Sequence, residues 1–188
     1  MADSNITKRA LAQAMKKLMA KEPFSKISVG DICEACGMNR KSFYYHFRDK
    51  YDLVNWIFYT EFIETIHLPD YKNGWELMED ICQYFCQERD FYRSALQIRG
   101  QNSFCEYFSQ VVGPFLQAFA ADLFLGLDDA QVRFYVTFFS DAFLLAIIRW
   151  LTSDIQIPTE DFLRQCRSII VYLARQALAD LDGGTVSG

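Results

Sequence analysis

The chain has 188 residues, of which 51% are hydrophobic, and a formal net charge of −5. That much apolar material can bury a sizeable core in one or two closely packed domains, which excludes disorder as the default reading. The charge is unevenly spread: residues 1–50 hold 10 Lys and Arg against 5 Asp and Glu, whereas residues 51–188 hold 9 against 19. A basic segment joined to an acidic remainder fits a chain that meets polyphosphate at one end and needs only to stay soluble at the other.

The elements, taken in chain order, all read as helix. No stretch alternates with period two for long enough to make a strand. A first helix is expected from Asn5 to Lys21, capped by Ser4 and burying Ile6, Ala10, Ala14 and Leu18, with Pro23 barring its continuation. Ser28 and Asp31 form a capping signature that opens a second, short helix. Gly37 suits the left-handed residue that ends it, and Asn39 caps a third helix running to about Phe47. Asp49 caps a fourth, from Lys50 to Ile66, which can bridge two domains. Further helices are expected at Gly74–Glu88, Asn102–Val112, Pro114–Leu125, Asp129–Thr152 and Thr159–Leu181. The stretch Phe134–Leu151 is about long enough to span a bilayer. It carries Thr137, Ser140, Asp141 and Arg149, so it is read as a buried helix and no membrane contact is expected. Nor does the chain open with the charged start, apolar run and small-residue cleavage site of a targeting segment, so a cytoplasmic location is expected.

Six cysteines raise the question of a metal, and Cys33 and Cys36 have CxxC spacing. Val29, Ile32, Cys33 and Cys36 nevertheless fall at i, i+3, i+4 and i+7, which puts both thiols on the apolar stripe of the second helix. Neither histidine follows at finger spacing, and Cys82 and Cys86 also have no visible set of partners, so no metal site and no cofactor are expected. An enzyme is not expected either: the chain has no phosphate-binding glycine loop, no HExxH and no nucleophile elbow.

Residues 28–47 therefore read helix, tight turn with glycine, helix. In the second of these helices Phe43 and Phe47 can pin one face to a core, leaving a mixture of Arg, Lys, Ser, Tyr and His that suits a DNA groove. The run SVGDICEACGMNRKSFYYHFRDKYDL, Ser28 to Leu53, resembles the DNA-binding signature of the TetR family: Val29, Ile32, Cys33, Cys36, Gly37, Tyr44, His46, Phe47, Lys50 and Leu53 occupy its places. The sequence departs from it by placing Cys at two usual Ala positions and Lys41 where many members have a smaller residue.

The resemblance implies an all-α homodimer with an N-terminal three-helix DNA-binding domain and a larger C-terminal helical bundle. In this chain these are residues 1–50, with the helix of residues 50–66 as connection, an effector-binding and dimerisation domain at 51–181, and a flexible tail at 182–188. The partner implied is double-stranded DNA carrying a palindromic operator, bound by a repressor under the control of an effector. Arg40, Lys41 and Ser42 are the expected contacts to base edges or phosphate. Tyr44 and His46 are expected on phosphates, Tyr45 on sugar or a thymine methyl, and Ser28 and Lys50 at phosphates near helix starts.

In the family the last two long helices form a four-helix dimer interface, which here assigns Phe138, Ala142, Leu145, Ile148, Ile169, Ile170 and Leu173 to that role. The aromatic set Trp75, Phe91, Tyr92, Phe104, Tyr107, Phe108, Phe115 and Phe119 fits an effector pocket with Gln97 and Arg99 as polar members, although an aromatic stripe at helical spacing is more often a packed core. The wording FYRSALQIRGQNSF, Phe91 to Phe104, with MNRKSFYYHF before it, is similar to a branch that includes activators of dihydroxyacetone-kinase operons. That branch responds to a partner protein. An activator or co-regulator controlled by a protein therefore stands beside a repressor controlled by a small molecule.

Overall fold

The computed structural model describes residues 2–100, 103–120, 128–153 and 157–183, and among them it is all helix and connection. Nine α-helices follow in order: α1 Ala2–Met19, α2 Val29–Ala35, α3 Arg40–His46, α4 Lys50–Glu61, α5 Gly74–Gln87, α6 Arg89–Ala95, α7 Phe104–Ala120, α8 Asp129–Thr152 and α9 Thr159–Gly183. The chain divides into two compact units, residues 1–67 with 87–108, and residues 68–86 with 109–188.

The first unit is built on α1. Leu11 and Met15 of α1, Ile32 of α2, Phe43 of α3 and Leu53, Ile57 and Phe58 of α4 have no solvent exposure. Burying side chains of this size at spacings of three and four residues is what holds such short helices together. The unit reaches past residue 50: Tyr92 and Phe104 pack at 6.1 and 5.3 Å from Phe58, in T-shaped contacts. Lys16 of α1 also pairs with Glu61 at the end of α4 and with Glu88, the residue before α6.

In the second unit Trp150 of α8 lies stacked on Phe162 of α9 at 4.6 Å, and its indole N–H donates to the Ile157 carbonyl at 2.7 Å. The buried side of α8 is formed by Phe143, Leu144, Ile147, Trp150 and Leu151. Cys86 of α5 meets the Thr159 hydroxyl of α9 at 3.5 Å, and Arg167 lies over the Trp75 ring.

Four expectations are corrected, and one helix was missed. Ile6, expected on the buried face of the first helix, is 64% exposed. Ser4 lies inside the first turn of α1, which begins at Ala2, so it is not the cap. The fourth helix stops at Glu61, and Ile63–Thr65 tighten into a 3-10 turn in which the Thr65 hydroxyl donates to the Phe62 carbonyl. The short helix α6, hidden in the sequence by its charged start, was not anticipated. Pro114 does not divide two helices but lies within α7. Its ring removes one N–H from the ladder, and the carbonyl that loses its partner belongs to Gln110, an exposed position where water can satisfy it.

Candidate nucleic-acid interface

The helix-turn-helix is specified almost entirely by hydrogen bonds local to its own sequence. Ser28 Oγ accepts from the Asp31 N–H at 3.2 Å, while the Ser28 N–H donates to the Asp31 carboxylate at 2.7 Å, completing a reciprocal cap on α2. That hydrogen bonding, aided by the nearby Arg40 and Lys50 charges, holds the Asp31 carboxyl below its usual range. Gly37 follows α2 with φ +68°, and the Met38 N–H closes on the Cys33 carbonyl at 2.8 Å. Asn39 Oδ1 then accepts from the Ser42 N–H at 2.8 Å to start α3, and Asp49 does the same for Asp52 at the start of α4. The two CxxC cysteines sit where the periodicity put them: Cys33 is buried, and Cys36 donates to the Ile32 carbonyl. Burial pushes both thiols up, as befits core residues instead of ligands or nucleophiles.

On α3, Phe43 and Phe47 are buried and face the core. Arg40 and Lys41 are exposed, Tyr44 is 58% exposed and Tyr45 83%. A tyrosine ring this exposed buries little in the free protein, so Tyr45 stands available to a partner. Ser42 is half-buried and its hydroxyl donates to Asn39, which makes it part of the cap first. His46 is half-buried against the Tyr45 ring at 4.9 Å. Desolvation, followed by the Lys8 charge, lowers its pKa, so the imidazole is neutral at pH 7 and can serve a phosphate as a neutral donor.

One further residue joins the site. Lys8 of α1 lies over the rings of Phe47 and Trp56, at 5.9 and 5.6 Å, placing a cation beside His46 that helix periodicity gave no reason to single out. Lys50, expected at a phosphate, is engaged within the chain. Its Nζ donates to the carbonyls of Phe24 and Ile27, both at 2.7 Å, and lies 4.3 Å from the centre of the Phe24 ring. Two of its three N–H bonds are thereby committed, and desolvation lowers its pKa. Lys50 ties the start of α4 to the turn before α2.

The expected effector set is not gathered in one place. Phe91, Tyr92, Phe104 and Phe108 are buried and pack edge to face or tilted on one another and on Phe58, so they fill the first unit's core. Tyr107 is half-buried in that unit, while Trp75 and Phe115 belong to the second. The Phe119 side chain lies outside the described residues. Concave space in the first unit occurs instead as a groove of about 550 Å³ lined by, among others, Met19, Phe24, Tyr51, Ser94, Gln97 and Arg99.

Of the expected interface residues, Phe138, Ala142 and Leu145 of α8 and Ile169 and Leu173 of α9 are exposed, with Ile148 and Ile170 half-buried. Phe134, 67% exposed, and Tyr172, 62% exposed, belong with them and escaped the sequence reading. The reading of α8 as a buried helix is therefore only half right. It is long and apolar enough to cross a membrane, yet its outward face also carries Asp141 and Arg149.

Comparisons with known proteins bear on both halves of the chain. Residues 8–57 match the model of the TetR family of bacterial regulatory proteins, and residues 73–172 match a transcriptional regulator C-terminal region. DhaS of Lactococcus lactis subsp. lactis (strain IL1403), a helix-turn-helix-type transcriptional activator of the dhaKLM operon, is 33% identical over 100 residues, 52% of this chain and 53% of DhaS. The chain thus aligns to about half of that relative's length. A helix-turn-helix-type transcriptional regulator of Staphylococcus aureus (strain MRSA252) is 27% identical over 140 residues, 70% of this chain and 75% of that protein. The crystal structure of a TetR transcriptional regulator from Streptococcus agalactiae 2603V shares the fold with a TM-score of 0.66, at 19% identity over 90% of this chain and 96% of that one. With a family model covering more than half its length and a second matching residues 8–57, which include the capped helices α2 and α3, the chain belongs to the TetR family of transcriptional regulators.

Proposed function

We propose that the protein binds a palindromic operator as a cytoplasmic homodimer through the outward face of α3, and that an effector modulates this binding to relieve repression. The observation that carries the reading is the division of α3. Phe43 and Phe47 are locked into the core while Arg40, Lys41, Tyr44 and Tyr45 stand in solvent on one short, capped helix. A helix presented this way reads base edges with its first residues and phosphates with its later ones.

Dimerisation is supported by the outward apolar residues Phe134, Phe138, Leu145, Ile169, Tyr172 and Leu173 on α8 and α9, too large a set of exposed hydrophobics to leave in water. Two reading heads then meet successive major grooves about 34–36 Å apart. For the effector, the first-unit groove offers an apolar floor at Met19 and Phe24 with Gln97, Ser94, Tyr51 and Arg99 around it. Phe24 links that groove to the Lys50 tie. No residue in this scheme is asked to perform catalysis.

A second reading, in which DNA binding activates transcription, is supported by the 33% identity over 100 residues to an operon activator; control by a protein partner is the form of it that the sequence resemblance suggests. Fluorescence-anisotropy titration against the intergenic DNA upstream of the protein's own gene, with random duplex as control and salt varied, tests the DNA-binding claim. Salt-dependent binding by a dimer, tighter for the intergenic DNA than for random duplex, supports it. Equal affinity for both duplexes, followed by no enriched site in a genome-wide pull-down, overturns it.

A further inference from the structure

Gly30 is the second residue of α2, and its backbone does not occupy the left-handed region that Gly37 and Gly100 do. Nothing in the chain path therefore calls for glycine, which after proline is the poorest helix former. What calls for it is the neighbouring helix. A β-carbon on Gly30 would lie 2.7 Å from Arg40 Nη2, 3.4 Å from Arg40 Cζ and 3.3 Å from Ser28 Oγ. The Arg40 guanidinium rests across the first turn of α2, in the space that the missing side chain leaves.

We propose that Gly30 is a specificity-determining residue, which by having no side chain sets the direction from which the Arg40 guanidinium meets the operator. The inference rests on the reading of α3 as the DNA-facing helix with Arg40 at a base edge. The backbone on both sides is fixed by the Ser28–Asp31 and Asn39 caps and by the turn at Gly37, so a side chain at residue 30 has one neighbour able to yield, the guanidinium. The Asp31 carboxylate, held first by Ser28, also feels the Arg40 charge. An arginine makes its two-pronged contact to guanine only if its planar fork arrives in register, so a displaced guanidinium loses discrimination before it loses general attraction to DNA.

The test compares the full-length wild type, Gly30→Ala, Arg40→Ala and the double variant, by selection from randomised duplexes and by thermal melting. Gly30→Ala is expected to melt at or above the wild-type temperature, because alanine is the better helix former. It is expected to keep its affinity for random duplex. It should lose roughly 5- to 150-fold discrimination at one base pair per half-site, the span of a single bidentate contact. That base pair should be the one Arg40→Ala relaxes, and the double variant should lose no more than Arg40→Ala alone.

Unchanged base preferences in Gly30→Ala, with a loss in Arg40→Ala, overturn the role of Gly30 and leave the DNA-facing reading intact. Unchanged preferences in Arg40→Ala overturn the reading on which the inference rests. Should Gly30→Ala melt below wild type, a contact with Arg40 requires the double variant to recover. A double variant melting equally low overturns the steric account.

Discussion

The reading head, α1 to α3, and the pair α8–α9 are both helical and both rich in aromatic rings, but they dispose of their apolar surface in opposite ways. In the head, Phe43, Phe47 and Ile32 are buried within the chain itself, and what α3 leaves outside is polar or amphipathic: Arg40, Lys41, Tyr44, Tyr45. In α8–α9, Trp150 and Phe162 stack inward while Phe134, Phe138, Leu145, Ile169 and Leu173 stay in water. The first region finds its burial within the chain, as part of the unit that also holds α4. The second has a helical stripe of large side chains whose burial a single copy does not supply. The two regions thus differ in what they leave exposed, and substitutions in them are expected to fail in different ways.

The largest effect is expected in the head's core. Phe43→Ala removes a fully buried ring from a seven-residue helix and should cost about 3–5 kcal/mol, abolishing DNA binding through loss of fold. Thermal melting followed by circular dichroism checks it, and a melting point within a few degrees of wild type would show that α3 is not anchored this way. On the other side of the comparison, Leu145→Asp, at a position 57% exposed, should leave the single chain folded and split the dimer, with operator affinity falling at least tenfold as one head loses the other. Sedimentation of the variant as a dimer would move the interface elsewhere.

Lys50→Met sharpens the comparison within the head. Losing two hydrogen bonds from a charged donor should cost about 1–3 kcal/mol, and folded variant should bind operator more weakly with an unchanged dependence on salt. A salt slope lower by about 1 per protomer would instead restore Lys50 as a phosphate contact. Asn39→Ala, which removes the α3 cap, should cost about 1 kcal/mol without altering base preference.

The smallest effect concerns His46. Its folded-state pKa is depressed below the unfolded value, so the stability it contributes is present above about pH 6.5 and is lost as pH falls through the folded value. A melting-temperature series from pH 7.5 to 5 should therefore decline slightly more for the wild type than for His46→Gln.

Much of the head was legible because its determinants are short-range. The Ser28–Asp31 box, Asn39, Asp49 and Gly37 each act on residues within four positions, and the i, i+4 pair Phe43–Phe47 declares which side of α3 faces inward. The exposed stripe on α8 and α9 was legible for a related reason, since helix periodicity groups residues on a face. It does not say whether the chain covers that face, so α8 was expected to be buried and is buried on one side only.

What the sequence alone determined about this protein is its all-helical class, the turn that sets α2 against α3, and the side of α3 left free. These follow from backbone hydrogen-bond demands and side-chain spacing over three or four residues. The tertiary structure decided where the long side chains end. Lys50 turns in to the carbonyls of Phe24 and Ile27, 26 and 23 residues away in sequence, the aromatic rings close around Phe58, and Arg40 lies over Gly30. Those outcomes depend on which distant backbone or ring comes within reach once helices pack, a distance that no local pattern encodes.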